Sequence, residues 1–255
     1  MSSPLRRPLL AGNWKMNLNL AQSVELARAV KDGAASASGE VAVFVPFTAI
    51  TVVAEVLRGG AVRLGAQDVS WEASGAFTGE ISTAMLLDAG CQMVLIGHSE
   101  RRKLYGETDE HVNKKLGAAL KAGLTPVVCI GETLDERESQ KTWRVLETQI
   151  TGGLKGFAPA DLAKVVVAYE PVWAIGTGKT ASPAQAQEAH LFVRRQLEKL
   201  HGKNFASGVR VLYGGSVTAE NVDSLMEQSD VDGALVGGAS LKKDAFLRIM
   251  GFKAA

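Results

Sequence analysis

Short apolar runs that alternate with helix-like segments constrain the fold of this chain more than any other feature. Eight such runs, rich in Val, Ile and Leu, recur from one end of the sequence to the other. Several are almost continuously apolar, which is typical of parallel strands that are covered on both faces. The runs are residues 9–13, 41–45, 62–66, 93–96, 125–130, 165–169, 209–213 and 233–236.

The segments between the runs carry the end signals of helices. Asn19 is suited to cap a first helix, and Gly33 is suited to end it. Ser182 begins a capping box that predicts another helix start. A further helix pattern follows Leu134, and we expect the glycines at 152–153 to end it.

Strands that alternate with helices along the whole chain predict an α/β fold with a parallel sheet and right-handed crossovers. Eight such units in 255 residues favour a closed (β/α)8 barrel over an open sheet. No Pro/Ser-rich linker divides the sequence. We therefore expect residues 1–255 to form a single domain.

The charge balance excludes several classes of partner. The chain has 28 Lys and Arg against 27 Asp and Glu, and its net charge of +1 gives no broad surface for nucleic acid or an anionic membrane. The first apolar stretch stops at Asn13, short of a signal core or of the ~20 residues that a membrane span needs. We expect a cytoplasmic protein with neither nucleic-acid nor membrane partners.

Motifs for metals and dinucleotides are weak or missing. Cys91 and Cys129 form no CxxC pair, and no HExxH motif occurs, so the sequence predicts no metal and two buried thiols. The stretch 176–180 has Trp173 where a Walker A loop needs an earlier Gly. It also fits a dinucleotide pattern, but it begins six residues beyond Glu170 and lacks the acidic partner residue.

Polar residues follow the predicted strands where a barrel places its active site, at the carboxyl ends. They comprise a carboxylate, an imidazole, an ammonium and two glycine-rich turns. They are Asn13 and Lys15 after the first strand, His98 and Glu100 after the fourth, Glu170 after the sixth, Gly214-Gly215-Ser216 after the seventh and Gly237-Gly238 after the eighth.

Each of these residues also has a purely structural interpretation. Glu170 could form a salt bridge at the barrel end, Lys15 could pair with Glu100, and the paired glycines could be ordinary turns. His98 differs from His111, His190 and His201 because it directly follows a core strand and precedes a helix start. Glycine turns after strands seven and eight coincide with the usual phosphate site of this architecture. The joint occurrence favours an active site.

These motifs resemble those of the triosephosphate isomerase family, and the resemblance extends over essentially the whole chain. The most specific segment is the run Tyr-Glu-Pro-Val-Trp-Ala-Ile-Gly-Thr-Gly at 169–178. The segments that carry the resemblance are residues 12–17, 96–102, 168–178, 213–217 and 235–241.

The resemblance implies the interconversion of dihydroxyacetone phosphate and glyceraldehyde 3-phosphate through an enediolate, with no cofactor and no metal. It makes Glu170 the base, with a proton affinity raised by desolvation, and His98 a neutral imidazole that polarises the carbonyl. It makes Lys15 the fixed positive charge, with Asn13 as a donor beside it and Glu100 in a supporting or proton-relay role.

The resemblance also implies a phosphate site, a lid and a partner. The phosphate would meet backbone N–H groups of Gly176, Ser216, Gly237 and Gly238. Residues 171–181 would form a lid that excludes water, and Ile175 and Leu235 would be apolar walls.

A homodimer is implied through the loop from Trp71 to Thr83. Phe77 stands at its tip, Thr78 would lie near the partner's active site, and Met16 would line the receiving pocket. Glu80 and Arg101 would form an ion pair between subunits.

Two alternatives remain open at this point. One is a Schiff-base aldolase of the same barrel architecture, against which the absence of a Lys after strand six counts. The other is a barrel that only binds phosphosugars or serves as a scaffold. The presence of both Glu170 and His98 disfavours it, because binding alone needs no base.

Overall fold

A computed structural model describes residues 6–175 and 180–253 of the chain. They form a closed barrel of eight parallel strands, in which each strand pairs with the next and the last pairs with the first. The predicted (β/α)8 fold is confirmed, and every predicted strand end lies within one residue of the observed one. The strands are β1 Leu9–Asn13, β2 Glu40–Val45, β3 Arg63–Ala66, β4 Met93–Ile96, β5 Thr125–Ile130, β6 Val166–Tyr169, β7 Arg210–Tyr213 and β8 Gly233–Val236.

Helices connect consecutive strands throughout the described part of the chain. The α-helices there are α1 Leu20–Gly33, α2 Ile50–Leu57, α3 Thr83–Asp88, α4 Ser99–Tyr105, α5 Asp109–Ala122, α6 Leu134–Glu138, α7 Thr142–Leu154, α8 Pro183–His201, α9 Lys203–Gly208, α10 Val222–Met226 and α11 Lys243–Met250. Short 3-10 helices are Ala34–Ser36, Phe47–Ala49, Val172–Ala174 and Gly238–Leu241. No helix among these has both the length and the apolar character that a membrane crossing requires.

Local signals fix most helix ends. The cap predicted at Asn19 for α1 and the capping box predicted at Ser182 for α8 both form. Both are capping boxes, and each satisfies N–H groups that the first helical turn leaves without acceptors. The single helix predicted after Leu134 is wrong. It is divided into α6 and α7 by a turn in which Gln140 has a positive φ of 56°.

The glycines at 152–153 do not end α7, which continues to Leu154. A Cβ at Gly152 would lie 2.9 Å from the Cβ of Asp109, and one at Gly153 would lie 3.4 Å from a Val112 methyl. These glycines therefore let α7 pack closely against α5, and this packing outweighs their low helix propensity.

The core has two parts that follow from the alternation of side chains along the strands. One apolar cluster fills the barrel, and a larger one lies between the barrel and its helices. Both predicted thiols, Cys91 and Cys129, are buried and unpaired. Because side chains fill the interior, there is no pore, and chemistry is confined to the ends of the barrel. The interior cluster consists of Leu9, Ala11, Ala42, Phe44, Met93, Leu95, Val127, Cys129, Val166, Ala168, Leu212 and Leu235.

Candidate active site

A cavity of about 590 Å³ opens at the carboxyl ends of the strands. It brings together the predicted site residues from β1, β4, β6, β7 and β8, and the two predicted apolar walls also line it. Gly176, the remaining predicted phosphate contact, lies outside the described residues, as does the central part of the predicted lid. The predicted residues on the cavity are Asn13, Lys15, His98, Glu100, Glu170, Ile175, Ser216, Leu235, Gly237 and Gly238.

Glu170 follows β6 directly and is 2% exposed. Its backbone N–H donates to the carbonyl of Ile130 at 2.7 Å, which fixes the chain as it leaves the barrel. A Cβ at Gly131 would lie 1.7 Å from the Glu170 carbonyl oxygen, and one at Gly214 would lie 2.8 Å from its Cγ. Only glycine at these two positions leaves room for the Glu170 backbone and side chain.

The carboxylate of Glu170 is held by two donors from the fourth strand–helix junction. Its Oε1 lies 3.0 Å from Nε2 of His98, and its Oε2 accepts the backbone N–H of Ser99 at 2.9 Å. The carboxylate is thus buried, directed into the barrel mouth and in direct contact with the imidazole.

His98 is the N-cap of α4, and its Nδ1 accepts the backbone N–H of Glu100 at 3.2 Å. An acceptor nitrogen must carry a lone pair, so the ring proton is on Nε2, the nitrogen that faces Glu170. The positive end of the α4 dipole also opposes a second proton on the ring. This local geometry supports a neutral imidazole.

The pKa values of the pair depart from the sequence-based expectation. Burial raises the pKa of Glu170, but His98, the Ser99 N–H and Lys15 together lower it by more, so the pKa lies below its usual value. Burial lowers the pKa of His98, and the carboxylate of Glu170 overcomes this and raises it. The predicted rise in the proton affinity of Glu170 is therefore wrong for this arrangement, in which the carboxylate is held ionised by its donors.

Lys15 has a positive φ of 52°, which is rare for a residue with a side chain. Its backbone N–H donates to Oδ1 of Asn13 at 3.0 Å, and its carbonyl accepts from Nε2 of Gln67 at 2.9 Å. These bonds offset the backbone strain and direct the ammonium into the cavity, where Nζ is 2.5 Å from Oε1 of Glu100. The pair that the sequence left as an alternative is thus present on the cavity wall.

The turn after β8 forms the end of the cavity next to Lys15. Gly237 precedes the 3-10 helix Gly238–Leu241, whose first N–H groups have no acceptor within the helix. A Cβ on Gly237 would lie 3.5 Å from Cε of Lys15, so the ammonium and the turn face the same space. Ser240 fixes the turn, because its hydroxyl donates to the Gly237 carbonyl at 2.7 Å. This corner of the cavity has the character of an anion site.

Three contributors were missed by the sequence reasoning. Ser99 acts through its backbone N–H, which no residue type signals. Lys242 lines the cavity, but it stands six residues beyond the end of β8. Glu132 is fully buried just after β5, so the same rule that identified Glu170 could have found it.

Glu132 accepts hydrogen bonds from three side chains near the start of the predicted lid. They are the Tyr169 hydroxyl at 3.1 Å, Nε1 of Trp173 at 2.9 Å and the guanidinium of Arg137 at 3.1 Å. Among residues 6–175 and 180–253, no group of three or more His, Cys, Asp or Glu side chains is arranged to hold a metal ion.

A (β/α)8 barrel with a buried carboxylate, an imidazole, an ammonium and a glycine turn around one cavity at its mouth is typical of the class of barrel enzymes that act on small substrates. The family model for triosephosphate isomerase matches residues 8–253. The triosephosphate isomerase of Geotalea uraniireducens is 54% identical over 97% of this chain and 99% of its own length. That of Geobacter metallireducens is 53% identical over 98% of this chain and all of its own.

A solved structure gives the same result at the level of the fold. The crystal structure of triosephosphate isomerase from Bartonella henselae matches with a TM-score of 0.86 and 40% identity, and covers 95% of this chain and 97% of its own. The chain belongs to the triosephosphate isomerase family. Its activity is the isomerisation of dihydroxyacetone phosphate and D-glyceraldehyde 3-phosphate, a step of glycolysis.

Proposed function

We propose that Glu170 and His98 carry out this isomerisation as base and electrophile. One observation supports the proposal above all others: Oε1 of Glu170 lies 3.0 Å from Nε2 of His98 on a cavity that Lys15 also lines. A base, a proton donor for the carbonyl oxygen and a fixed positive charge are the three groups that an enediolate mechanism requires.

The proton transfers balance without any further reagent. Glu170 takes a proton from C1 of dihydroxyacetone phosphate, the C–H electron pair becomes the C1–C2 double bond, and the carbonyl electrons move to the oxygen on C2. His98 donates from Nε2 to that oxygen and recovers a proton from the oxygen on C1. Glu170 then returns its proton to C2, which yields the aldehyde and regenerates both residues.

Glu170 has to exchange its present donors for the substrate carbon before it can act. His98 and the Ser99 N–H lower its pKa in the arrangement described here. Once these contacts are replaced by an apolar C–H group in a closed cavity, burial dominates and the pKa rises toward that of an effective base. The same donors that hold the resting carboxylate ionised are thereby freed to serve the substrate oxygens.

Of the remaining polar groups, some stabilise the negative charge of the enediolate and others bind the phosphate group of the substrate. Lys15 stabilises the enediolate, with Asn13 as a donor beside it, and Glu100 orients the Lys15 ammonium. We assign the phosphate to backbone N–H groups of Ser216, Gly237 and Gly238, together with that of Gly176, whose position the structure does not describe. Backbone donors suit a dianion because they need no counter-ion of their own.

Residues 171–181 are proposed as a lid over the cavity. Support comes from its described beginning, where Ile175 lines the cavity and the Trp173 ring lies 4.5 Å from the guanidinium of Arg137. Closure would exclude water, which protects an enediolate from expelling its phosphate group.

The working enzyme is proposed to be a cytoplasmic homodimer in which residues 1–255 form one domain. Support for the dimer comes from the loop between Trp71 and Thr83, whose Phe77 is 45% exposed, and from Met16, which is 94% exposed. Arg101 pairs with Asp68 and Glu107 of its own chain, at 2.8 and 3.5 Å. The predicted ion pair between Arg101 and Glu80 therefore has competitors within the subunit. The cytoplasmic location follows from the glycolytic reaction and agrees with two unpaired thiols.

Two substitutions test the residue roles in an assay with a chelator and no added nucleotide. Glu170→Asp withdraws the carboxylate by one methylene, so we expect kcat to fall by about 10²- to 10⁴-fold with little change in KM. Lys15→Ala should both raise KM and lower kcat, because the charge acts on substrate and enediolate alike. Lys203→Ala, which removes an exposed lysine that does not line the cavity, is the matched control and should leave both constants unchanged.

If Glu170→Asp and Lys15→Ala both weaken only substrate affinity, the assignment of roles is wrong. Incorporation of solvent deuterium into carbon-bound positions gives an independent reading of base function, and Glu170→Gln should abolish it. Borohydride with substrate should not trap Lys15, which separates this mechanism from the Schiff-base aldolase alternative; the family assignment already sets aside a barrel that only binds.

A further inference from the structure

The amino end of the barrel, opposite the active site, carries a layer of charged side chains. Glu40, Thr125 and Arg210 each stand two residues before a side chain of the barrel interior. Because strand side chains alternate, these three side chains point toward the barrel axis. Arg63 joins them through contacts with both Glu40 and Thr125.

Two arginines in this layer share one carboxylate. Arg63 donates to Oε1 of Glu40 at 2.9 Å, and Arg210 donates to Oε2 of the same residue at 2.6 Å. Arg63 also donates to the hydroxyl of Thr125 at 2.8 Å. The two guanidinium groups are therefore held in fixed positions on either side of a single negative charge.

The layer has an excess of positive charge in a sheltered place. The side chains of Arg63, Arg210 and Glu40 are only 25%, 18% and 22% exposed, and two positive charges with one negative charge leave a net +1. Charges that are largely removed from water need a partner of opposite sign. In the described part of the chain, Glu40 provides the one hydrogen bond that Arg210 makes, so the rest of its guanidinium fork is available.

A cavity of about 540 Å³ opens directly onto these arginines. Lys164 adds a third positive charge to its wall, and among the described residues Lys164 takes part in no ion pair. The described lining contains no Asp or Glu, while Gln92 and Thr125 add polar groups. None of its lining residues belongs to the active-site cavity.

We propose that this cavity at the amino end of the barrel is a second anion site, which binds a small phosphate-type oxyanion between Arg63, Arg210 and Lys164. Guanidinium groups present paired donors that match the oxygens of phosphate, and the lysine ammonium contributes a mobile point charge. The bound anion would neutralise the excess charge of the layer. It would also link β3, β7 and the segment before β6, and so stabilise the closed barrel.

The test is an anion titration of the full-length protein that is monitored by amide NMR. The method distinguishes the two anion sites, because different backbone amides report on each. Inorganic phosphate and glycerol phosphate are added in separate series at constant ionic strength, with chloride as the balancing ion. Gly123, Val165 and Gly208 report on the proposed site, and Gly237 and Gly238 report on the active site. We expect both groups of amides to shift, with separate saturation curves. A phosphomonoester site binds glycerol phosphate at least as tightly as inorganic phosphate, whereas a site for free phosphate favours the smaller ion.

Matched lysine substitutions assign the shifts. Lys164→Gln should weaken phosphate binding at Gly123, Val165 and Gly208 by about three- to fivefold, the effect of one exposed charge, and leave Gly237 unaffected. Lys203→Gln removes an exposed lysine outside the cavity and should change neither curve.

Arg210→Gln should weaken phosphate binding at this site more than Lys164→Gln does. If Arg210→Gln prevents folding, the result for Lys164→Gln is sufficient to test the proposal. Two results would overturn the proposal. One is an absence of shifts at Gly123, Val165 and Gly208 when Gly237 and Gly238 are saturated. The other is an equal effect of Lys164→Gln and Lys203→Gln, which would indicate only a diffuse response to charge.

Discussion

His190 lies on α8 between two tyrosine rings and is completely buried. Its ring centroid is 5.9 Å from that of Tyr169 and 6.3 Å from that of Tyr213, and its Nδ1 is 3.2 Å from the carbonyl oxygen of Asp230. Burial lowers the pKa of this imidazole to about 4, because the loss of water outweighs the opposing contacts with Asp230. The residue is therefore neutral in the folded protein at pH values where an unfolded chain would protonate it.

This difference predicts a pH-dependent loss of stability. Below the ordinary histidine pKa of 6.5 the unfolded state binds a proton that the folded state excludes until about pH 4, so stability falls as the pH is lowered through this window. Between pH 7 and pH 5 the contribution amounts to about 2 kcal/mol. Urea unfolding at both pH values and one protein concentration measures it.

The control for this prediction is His190→Gln, which cannot titrate. Buried or paired carboxylates also lose stability as the pH falls, so the quantity of interest is the difference between wild type and variant. The free energy lost between pH 7 and pH 5 should be smaller in the variant by the stated amount. An equal loss in both proteins would contradict a depressed pKa at His190.

Individual site residues were predictable to the extent that their position along the chain determines their place in the barrel. Glu170, His98 and Lys15 follow strand ends, and a parallel barrel necessarily gathers such residues at one mouth. The direction of the Glu170 pKa shift was not predictable, because it depends on the 3.0 Å contact with His98 and on the 2.9 Å contact with the Ser99 N–H. Both distances depend on where the closed barrel places the end of β6 relative to the β4–α4 junction, which no local pattern encodes.

Secondary-structure elements meet at Glu132, which joins the end of β5 to the start of the proposed lid. Its carboxylate accepts from Tyr169 in β6, from Arg137 in α6 and from Trp173 in the 3-10 helix Val172–Ala174. Its backbone carbonyl also accepts the N–H of Val172 at 3.0 Å. One buried carboxylate thus fixes three elements relative to each other.

Glu132→Gln should loosen this junction. The amide group replaces one acceptor oxygen by a donor, so at least one of the three side-chain donors loses its partner, which costs about 1–3 kcal/mol of unfolding free energy. A less firmly held lid should raise KM and increase the release of inorganic phosphate per turnover. Coupled assays for isomerisation and phosphate measure both effects.

Glu138→Gln is the matched control, because it makes the same change on the exposed side of α6. It should leave stability and phosphate release as in the wild type. If Glu132→Gln loses stability but shows unchanged KM and phosphate release, Glu132 supports the fold without positioning the lid.

Elements were predicted well where one local signal dominates. All eight strands follow apolar runs, because a strand covered on both faces needs apolar side chains throughout. The division between α6 and α7 was missed, since Gln140 is an ordinary helix former that here adopts a left-handed conformation. The glycines at 152–153 gave a wrong helix end for the opposite reason, because their role is to bring α7 close to α5, and this depends on Asp109 and Val112, which are distant in the sequence.

At the scale of the whole molecule, the two ends of the barrel have different tasks. The carboxyl end places a buried carboxylate and an ammonium around a reaction cavity, and the amino end carries the excess positive charge of Arg63 and Arg210. Large apolar side chains are also exposed in the segments that follow β1 and β3 and on α3 and α4. They are Met16, Trp71, Phe77, Met85, Leu87, Leu104 and Tyr105. Composition alone could not identify them, because exposure depends on the finished fold.

The proposed dimer predicts that Phe77→Glu separates the subunits, because a charge at the tip of the loop could not be buried in a partner without a large desolvation cost. Sedimentation equilibrium should then give the 26.9 kDa mass of one chain, whereas the wild type gives twice that value. We expect kcat to fall by about 10²-fold, because Lys15 and its strained backbone would lose the support of the partner loop.

Leu200→Glu places the same charge at a residue of similar exposure, 40% against 45%, on the last turn of α8, and should remain dimeric and active. A Phe77→Glu protein that sediments as the wild type does would exclude this loop as the dimer contact, and a fully active monomer would show that each barrel works without its partner.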